Sequence, residues 1–190
     1  MSAKLFNDKA QLLTDYLEAT LSENIHELEM ASEIFSATLK NSNTIFFCGN
    51  GGSASESSHL ATELIGRFKE NRVSLPSLSL NSDTTAITCI ANDFGYDEIY
   101  ARQLEGLSRA GDLLIVLSTS GNSRNIIRVL EQASKSSVKS VALLGKGGGE
   151  AATLADVSII VPGNETARIQ EVHLLIGHTL CELAENFLGF

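Results

Sequence analysis

The sequence predicts an α/β protein in which a five-stranded parallel sheet lies between two layers of helices, preceded by a helical arm. Three observations predict this fold. Apolar strand runs and helical patterns alternate from residue 43 onwards, which is typical of right-handed crossovers and a parallel sheet. Residues 113–117 are continuously apolar, as in a strand covered on both faces. Pro76 interrupts another run, which favours an edge position because proline has no N–H to donate.

The N-terminal arm, residues 3–41, has apolar side chains at helical spacing and contains neither glycine nor proline. Residues 20–23, Thr-Leu-Ser-Glu, resemble a capping box, which predicts two helices, and one long helix is the alternative. The apolar stripes of the arm must be buried. They pack either on the chain's own sheet or on a partner subunit.

The remaining elements follow the arm in alternation. The predicted strands are residues 44–47, 74–80, 113–117, 138–144 and 157–161. The predicted helices are residues 54–68, 84–91, 97–110, 123–134 and 166–187, with a short helix opened by residues 147–149. With the second strand at an edge, the strands suit the flavodoxin-like order 2-1-3-4-5. We expect one domain, with residues 1–41 as the arm and residues 42–190 as the α/β core.

Composition excludes several classes of protein. The net charge of −9 argues against non-specific nucleic-acid binding, which needs a basic surface. No run of apolar residues is long enough to span a membrane, and the N-terminus does not resemble a signal peptide, so a cytoplasmic location is expected. The spacing of Cys48, Cys89 and Cys181 matches no zinc knuckle or disulfide framework, which favours small buried apolar residues.

A polar loop follows the third predicted strand. In the order 2-1-3-4-5, the ligand crevice lies at the carboxyl ends of strands one and three. Residues 118–123 sit there, between a buried strand and a helix whose first N–H groups suit an anion. Four hydroxyls and a glycine predict a phosphate cradle, and an ordinary loop with an N-capping serine is the alternative. The residues concerned are Ser118, Thr119, Ser120, Gly121 and Ser123.

A glycine-rich loop, residues 49–53, follows the first strand and suggests close contact between backbone and ligand. Its sequence is neither a Walker A loop nor the spaced dinucleotide fingerprint. A tight strand–helix turn explains the glycines almost as well.

Candidate acid, base and metal-ligating residues lie on two helices. His59 and Glu63 are four residues apart and share a helix face, as a metal ligand pair, an acid/base pair or an ordinary surface pair would. Gln170 and His178 on the terminal helix differ by roughly 80° of rotation about the helix axis and about 12 Å of rise. Both side chains would have to extend to reach one ion. His173 need not point the same way, and a hydrogen-bonded interface role is its simplest interpretation.

Four segments in the same order resemble the phosphoheptose isomerase family of sugar isomerase (SIS) domains over nearly the whole chain. They are residues 48–53 (CGNGGS), 92–95 (NDFG), 118–123 (STSGNS) and 168–171 (RIQE). Residues 54–56 and Ala167 depart from some relatives, and a ligand contact there is missing or is made by other residues. The resemblance implies conversion of D-sedoheptulose 7-phosphate to D-glycero-D-manno-heptose 7-phosphate, the first step towards the ADP-heptose of lipopolysaccharide core. It also implies a homotetramer with active sites at subunit interfaces.

The same resemblance implies particular site residues. It implies one zinc ion per subunit, held by His59, Glu63, Gln170 and His178, with Glu63 and His178 as the acid/base pair. The substrate contacts that it implies are Asn50, Gly51, Gly52, Ser53, Glu63, Asn92, Asp93, Ser118, Thr119, Ser120, Ser123 and Gln170.

The chemistry fits these residue types. Aldose–ketose isomerisation moves a proton between C1 and C2 through an enediol, which needs a base at carbon and an acid at oxygen. We expect Glu63 as base and His178 as acid or relay, although the residues alone leave these roles interchangeable.

Rival functions share the fold. One SIS relative binds the bacterial replication initiator but lacks counterparts of Glu63 and His178, so their presence here favours an enzyme. A sugar-phosphate sensor would need an added DNA-binding domain, for which the chain has no room. An isomerase of another sugar phosphate would have a similar phosphate cradle and remains an alternative.

Overall fold

A computed structural model describes residues 2–190. Its core is a five-stranded parallel sheet in the order β2-β1-β3-β4-β5, which confirms the predicted fold class. The strands are β1 (Ile45–Gly49), β2 (Ser77–Ser79), β3 (Leu113–Ser118), β4 (Lys139–Gly145) and β5 (Val157–Val161). β1 and β3 are neighbours at the centre of the sheet, whereas β2, which follows Pro76, lies at an edge as predicted.

Helices cover both faces of the sheet. They are α1 (Ser2–Glu23), α2 (Ile25–Lys40), α3 (Gly52–Ile65), α4 (Thr84–Phe94), α5 (Ala101–Leu107), α6 (Arg124–Lys135) and α7 (Thr166–Leu188), with 3₁₀ turns at Tyr96–Glu98 and Glu150–Thr153. One apolar core joins the sheet to α2, α3 and α7, and a second joins its other face to α5 and α6. Odd and even residues of β1 and β3 enter different cores, which is why these strands are apolar throughout.

The helical arm breaks at Asn24, just after the predicted capping box, whose residues all lie within α1. The amide of Asn24 donates to the carbonyl of Ile160 at 3.2 Å and accepts the Ile160 N–H at 2.9 Å. A buried side chain therefore pairs with the free edge of β5, and this pairing fixes the break. Earlier in the arm, the Tyr16 hydroxyl accepts the N–H groups of Asn164 and Glu165, which lie just before α7.

Several element boundaries differ from the sequence prediction. The strand predicted at residues 74–80 is only Ser77–Ser79, and the helix predicted at residues 97–110 is only Ala101–Leu107, after a 3₁₀ turn. α3 ends at Ile65 instead of residue 68, because the side chain of Arg72 returns to bond its last carbonyls. α4 continues to Phe94, so Asn92 and Asp93, which follow the helix predicted at residues 84–91, lie inside the helix. The turn comes one residue later at Gly95, whose φ of +94° favours glycine.

The cysteines follow the sequence prediction in two of three cases. Cys48 and Cys181 are buried, and burial raises the pKa of the Cys181 thiol to about 12 and that of Cys48 further still. Cys89 is exposed on α4, so for this residue the prediction of burial was wrong. Across residues 2–190, no helix is long and apolar enough to cross a membrane.

Candidate active site

The crevice lies where the chain leaves β1 and β3 in the middle of the sheet. Asn50, after β1, and Asn125, in the first turn of α6, exchange two amide hydrogen bonds of 2.9 Å. The Asn50 side-chain Oδ1 also accepts from the Tyr96 hydroxyl at 3.1 Å, and the Tyr100 hydroxyl, which donates to the Gly49 carbonyl at 2.6 Å, lies 3.2 Å from the same oxygen. These bonds fix the two loops to each other and leave one N–H of the Asn50 amide for a ligand.

The hydroxyl-rich loop between β3 and α6 is shaped by its own side chains. The Ser118 hydroxyl accepts the N–H of Gly121 at 3.1 Å, and the Ser120 hydroxyl accepts that of Asn122 at 3.3 Å. Ser123 occupies the N-cap position of α6, but its side chain makes no capping hydrogen bond. The start of α6 therefore presents N–H groups beside partly exposed hydroxyls, as an anion site requires.

Gly121 is needed for packing against the turn that follows β4. Its φ is +62°, and a Cβ there would overlap the carbonyl oxygen of Gly148. The Gly121 carbonyl also accepts the N–H of Ala151 at 2.9 Å. The glycine turn at 147–149 thus supports the loop from behind and holds its hydroxyls in place.

Gln170 joins α7 to the start of α3. Its amide donates to the Ser53 hydroxyl at 3.3 Å, and a Cβ on Gly52 would come within 2.6 Å of the same amide nitrogen. Gln170 therefore lies beside the glycine-rich loop, among the predicted substrate contacts. Its predicted role as a metal ligand stays a prediction.

His59, Glu63 and His178 come together within one chain. The Nε2 atoms of His59 and His178 are 2.8 Å apart, and Glu63 Oε1 is 3.2 Å from His59 Nε2. One ligand atom from each residue lies within 4.8 Å of the others. The pair on α3 therefore faces α7, although spacing alone was equally consistent with an exposed surface pair. The residues predicted to move protons are neighbours in space.

The environment of His178 favours its neutral form. Burial and the neighbouring His59 lower the pKa of His178, and the Glu63 carboxylate partly opposes this effect. The ring of Phe68 stacks on the imidazole, with centroids 5.3 Å apart and an interplanar angle of 21°. A neutral imidazole held in this way has a lone pair available for a metal or a proton.

The cluster also suits a metal ion. Two imidazole nitrogens and one carboxylate oxygen form a donor set that zinc uses in catalytic sites, where a further position is left for water or substrate. The two Nε2 atoms face each other at hydrogen-bond distance, and His59 is exposed while the other two residues are partly buried. The residues present therefore fit a zinc ion with one side open to solvent.

Three residues named by the sequence lie elsewhere. Asn92 and Asp93 are exposed in the last turn of α4 and hydrogen-bond to each other at 2.8 Å. Their predicted contact with substrate stays a prediction. His173 is fully buried and bonds the Leu144 carbonyl through Nε2 at 3.0 Å, while burial lowers its pKa to about 4. It ties α7 to β4.

Sequence reasoning missed several residues at this site. Asn125 and Phe68 had no signal of their own, because their roles depend on partners that are distant in sequence. Glu56 did have a signal in the sequence, because it lies at helical spacing from three other residues of this face of α3, Gly52, His59 and Glu63. Burial raises the pKa of Glu56 to about 7, and its Oε2 finds no partner among the described residues.

Comparisons with known proteins show the family of this chain. A model of the SIS domain family matches residues 9–145. A phosphoheptose isomerase of Akkermansia muciniphila is 51% identical over 160 residues, which are 84% of this chain and 85% of that protein. The solved phosphoheptose isomerase of Neisseria gonorrhoeae is 33% identical with a TM-score of 0.91, covering 98% of this chain and 100% of that one. That of Francisella tularensis is 30% identical with a TM-score of 0.92, covering 98% and 99%. The chain therefore belongs to the SIS domain family, in its phosphoheptose isomerase branch.

Proposed function

We propose that this protein is an aldose–ketose isomerase that converts D-sedoheptulose 7-phosphate to D-glycero-D-manno-heptose 7-phosphate. This reaction would supply the first intermediate of ADP-heptose synthesis for lipopolysaccharide core. The relatives at half identity over most of the chain carry the name phosphoheptose isomerase, which supports this choice among sugar phosphates. The observation that carries the proposal is the meeting of Glu63 with His178 within one chain.

The length of α3 supports a seven-carbon substrate. The phosphate is on C7, at the opposite end of the sugar from the reacting carbons C1 and C2. The crevice at the starts of α3 and α6 suits the phosphate. Along α3, His59 lies about 10 Å from Gly52, at 1.5 Å of rise per residue. An extended sugar phosphate therefore reaches from the anion site to the His–Glu–His cluster.

Each member of the pair has a role in proton transfer. Glu63 acts as the base that removes the proton from C1 of the ketose and returns it to C2. His178 acts as the acid that transfers a proton to the carbonyl oxygen. Zinc, held by His59, Glu63 and His178 with Gln170 as the further predicted ligand, would polarise the oxygens of the enediol when bound. The substrate phosphate is held by N–H groups and hydroxyls at the start of α6, so the net charge of −9 is no obstacle.

Substitution of the pair tests the proposal. Glu63→Gln and His178→Gln each keep shape but remove the titrating group, so we expect at least a 100-fold loss of turnover with a folded oligomer. His26→Gln, on the exposed face of α2, is the matched control and is expected to retain full activity. Aldose formation from purified protein is the measurement. Full activity in either site variant would remove this assignment.

The substrate itself is tested with a panel of ketose phosphates. Pentulose, hexulose and heptulose phosphates are supplied with and without a chelator, and aldose formation is followed. We expect turnover of the heptulose to exceed the others and to fall when the metal is removed. Preference for a shorter sugar would favour the alternative, another sugar-phosphate isomerase. Capture of the replication initiator without any turnover would favour the binding protein.

We further propose that the protein is a single SIS domain, with residues 1–41 as arm and 42–190 as core, which works in the cytoplasm as a homotetramer with active sites at subunit interfaces. Supporting the assembly, apolar side chains remain exposed on the arm and on α7. They include Leu21, Ile25, Leu175 and Leu183, whose exposed fractions are 53%, 57%, 48% and 42%. They border an apolar groove between α2 and α7. A second copy of the chain would cover it.

A further inference from the structure

A buried ion pair lies behind the His59–Glu63–His178 cluster. Arg72 Nε is 2.8 Å from Glu185 Oε1, and the two side chains are 0% and 2% exposed. Taking two charges out of water is costly, and apolar residues of similar volume often give equal or greater stability. The contacts of this pair indicate another purpose, because they lead to the catalytic residues.

Arg72 is bonded to the end of α3. Its Nη2 donates to the backbone carbonyl of Glu63 and its Nη1 to that of Leu64, both at 2.8 Å. The last carbonyls of a helix have no partners within the helix. The guanidinium supplies these partners and fixes the backbone position from which the Glu63 side chain extends.

Glu185 holds the loop that follows α3. Its carboxylate accepts the N–H groups of Phe68, Lys69 and Glu70 at 3.1–3.2 Å, in addition to the Arg72 guanidinium. Burial opposes ionisation, but these donors outweigh it and lower the pKa of Glu185. The carboxylate is therefore charged at neutral pH and organises four donors from one loop.

The loop carries the ring that stacks on His178. Phe68, whose N–H Glu185 accepts, lies against the imidazole with centroids 5.3 Å apart. On α7, Glu185 follows His178 by seven residues, about two turns, so both side chains share one face. The Arg72–Glu185 pair thus connects three segments. These are α3 at the backbone of Glu63, the loop at Phe68, and α7, where Glu185 lies two turns after His178.

We propose that Arg72 and Glu185 are positioning residues, which set the placement of Glu63 and His178 without touching substrate. The kinetic part of this inference rests on the proposed function, whereas the metal-binding part does not. Outer partners of metal-binding and catalytic groups typically change affinity or activity by about 10–100-fold. The anion site at α6 is far from the pair in the chain and makes none of its contacts, so we expect kcat to fall and KM to stay nearly constant.

Glu185→Gln tests the proposal, because it keeps the shape and removes the charge that organises the donors. We expect a 10–100-fold loss in kcat for sedoheptulose 7-phosphate and a similar loss of zinc affinity by titration calorimetry, with KM within about threefold. Asp156→Asn is the matched control, since Asp156 also accepts a backbone N–H, from Ser140, and pairs with a cation, Lys139, at a remote surface. It is expected to lower the melting temperature without changing kcat or zinc affinity.

The outcomes separate the two proposals. Wild-type kcat and zinc affinity in Glu185→Gln would overturn the positioning role. If the wild type shows no turnover, the proposed function fails and zinc affinity still decides. If the wild type binds no zinc, the kcat of Glu185→Gln decides. If the wild type shows neither turnover nor zinc binding, a crystal structure of Glu185→Gln decides, by whether the Phe68 ring has left the His178 imidazole. If Glu185→Gln does not fold, Phe68→Leu tests the same route, and unchanged kcat and zinc affinity in that variant would overturn the role.

Discussion

The buried imidazole of His173 shows how one residue makes stability depend on pH. A histidine in the unfolded chain has a pKa near 6.5, whereas burial lowers the pKa of His173 to about 4. Between these values the unfolded chain binds a proton that the folded chain excludes. The free energy of unfolding therefore falls as pH decreases through this window, by about 1.4 kcal/mol per pH unit and about 3 kcal/mol in all.

His173→Gln removes this titration and keeps a donor for the Leu144 carbonyl. We expect the variant to be less stable than the wild type at pH 7, and the difference to shrink as pH falls from 6.5 to 4. Urea unfolding at several pH values measures both curves, and the subtraction removes the contributions of other groups, Glu56 included. Parallel curves would contradict the prediction.

Gly121 offers a second test at the same scale. Gly121→Ala is strained by its φ of +62° and also collides with the Gly148 carbonyl, whereas Gly147→Ala, at a φ of +80°, meets open space. Backbone strain of this kind costs about 1–3 kcal/mol. We expect both variants to lose stability, but only Gly121→Ala to raise KM for the sugar phosphate, because it displaces the hydroxyl loop. Melting temperatures and steady-state kinetics distinguish them, and equal KM values would count against the support from the glycine turn.

Individual residues were predicted from sequence where a local motif carried the information. The pair His59 and Glu63, which the structure brings beside His178, was found in this way, and the loop at 118–123 was singled out in the same way, although its phosphate contacts stay a prediction. The partners of these residues were not, because Asn125, Arg72 and Glu185 become neighbours of the crevice or the cluster only after the chain has folded. The packing role of Gly121 was not predicted either, since the carbonyl that approaches it belongs to the turn after β4.

Asn24 governs how the arm joins the core at the scale of elements. Its amide makes two hydrogen bonds to Ile160 on β5 and is 7% exposed. Asn24→Ala leaves the Ile160 N–H and carbonyl to be satisfied by water, which we expect to cost about 1–3 kcal/mol. Asn41→Ala is the control, because Asn41 caps α2 with its backbone N–H alone. Urea denaturation compares them, and equal losses would contradict the special role of Asn24.

Elements with strong periodicity were predicted almost completely. The strand at residues 157–161 and the start of α7 at Thr166 match the structure. Two of the errors fall where a distant group decides the end of a helix. α3 ends where the Arg72 side chain bonds its last carbonyls, and the arm divides into two helices where Asn24 bonds β5. Both contacts join segments that are apart in the sequence. The capping-box pattern came close to the second boundary, but the physical cause was not local.

The apolar groove between α2 and α7 carries the prediction for the whole molecule. Leu175 is 48% exposed at this groove. In the proposed tetramer, Leu175→Lys places a charge in an apolar interface, which we expect to dissociate the assembly and lower activity together. Light scattering after size-exclusion chromatography measures the mass at several concentrations.

Lys135→Glu, at the end of α6 on the opposite layer, is the control for a change of charge. It is expected to leave the mass unchanged. A Leu175→Lys protein with wild-type mass would exclude this groove as a subunit contact. The fold class and strand order followed from the sequence, whereas this surface could not, since periodic apolar residues on the arm were equally consistent with burial on the chain's own sheet.

The two edge strands of the sheet, β2 and β5, are protected from pairing with another strand in different ways. At β2 the strand is only three residues long and follows Pro76, and at β5 the Asn24 amide occupies the outward N–H and carbonyl of Ile160. Strand addition between copies, the route by which open sheets form fibrils, finds few free backbone groups at either side. Concentrated native protein should therefore associate through helices alone, and loss of the Asn24 amide should raise its tendency to form cross-β aggregates.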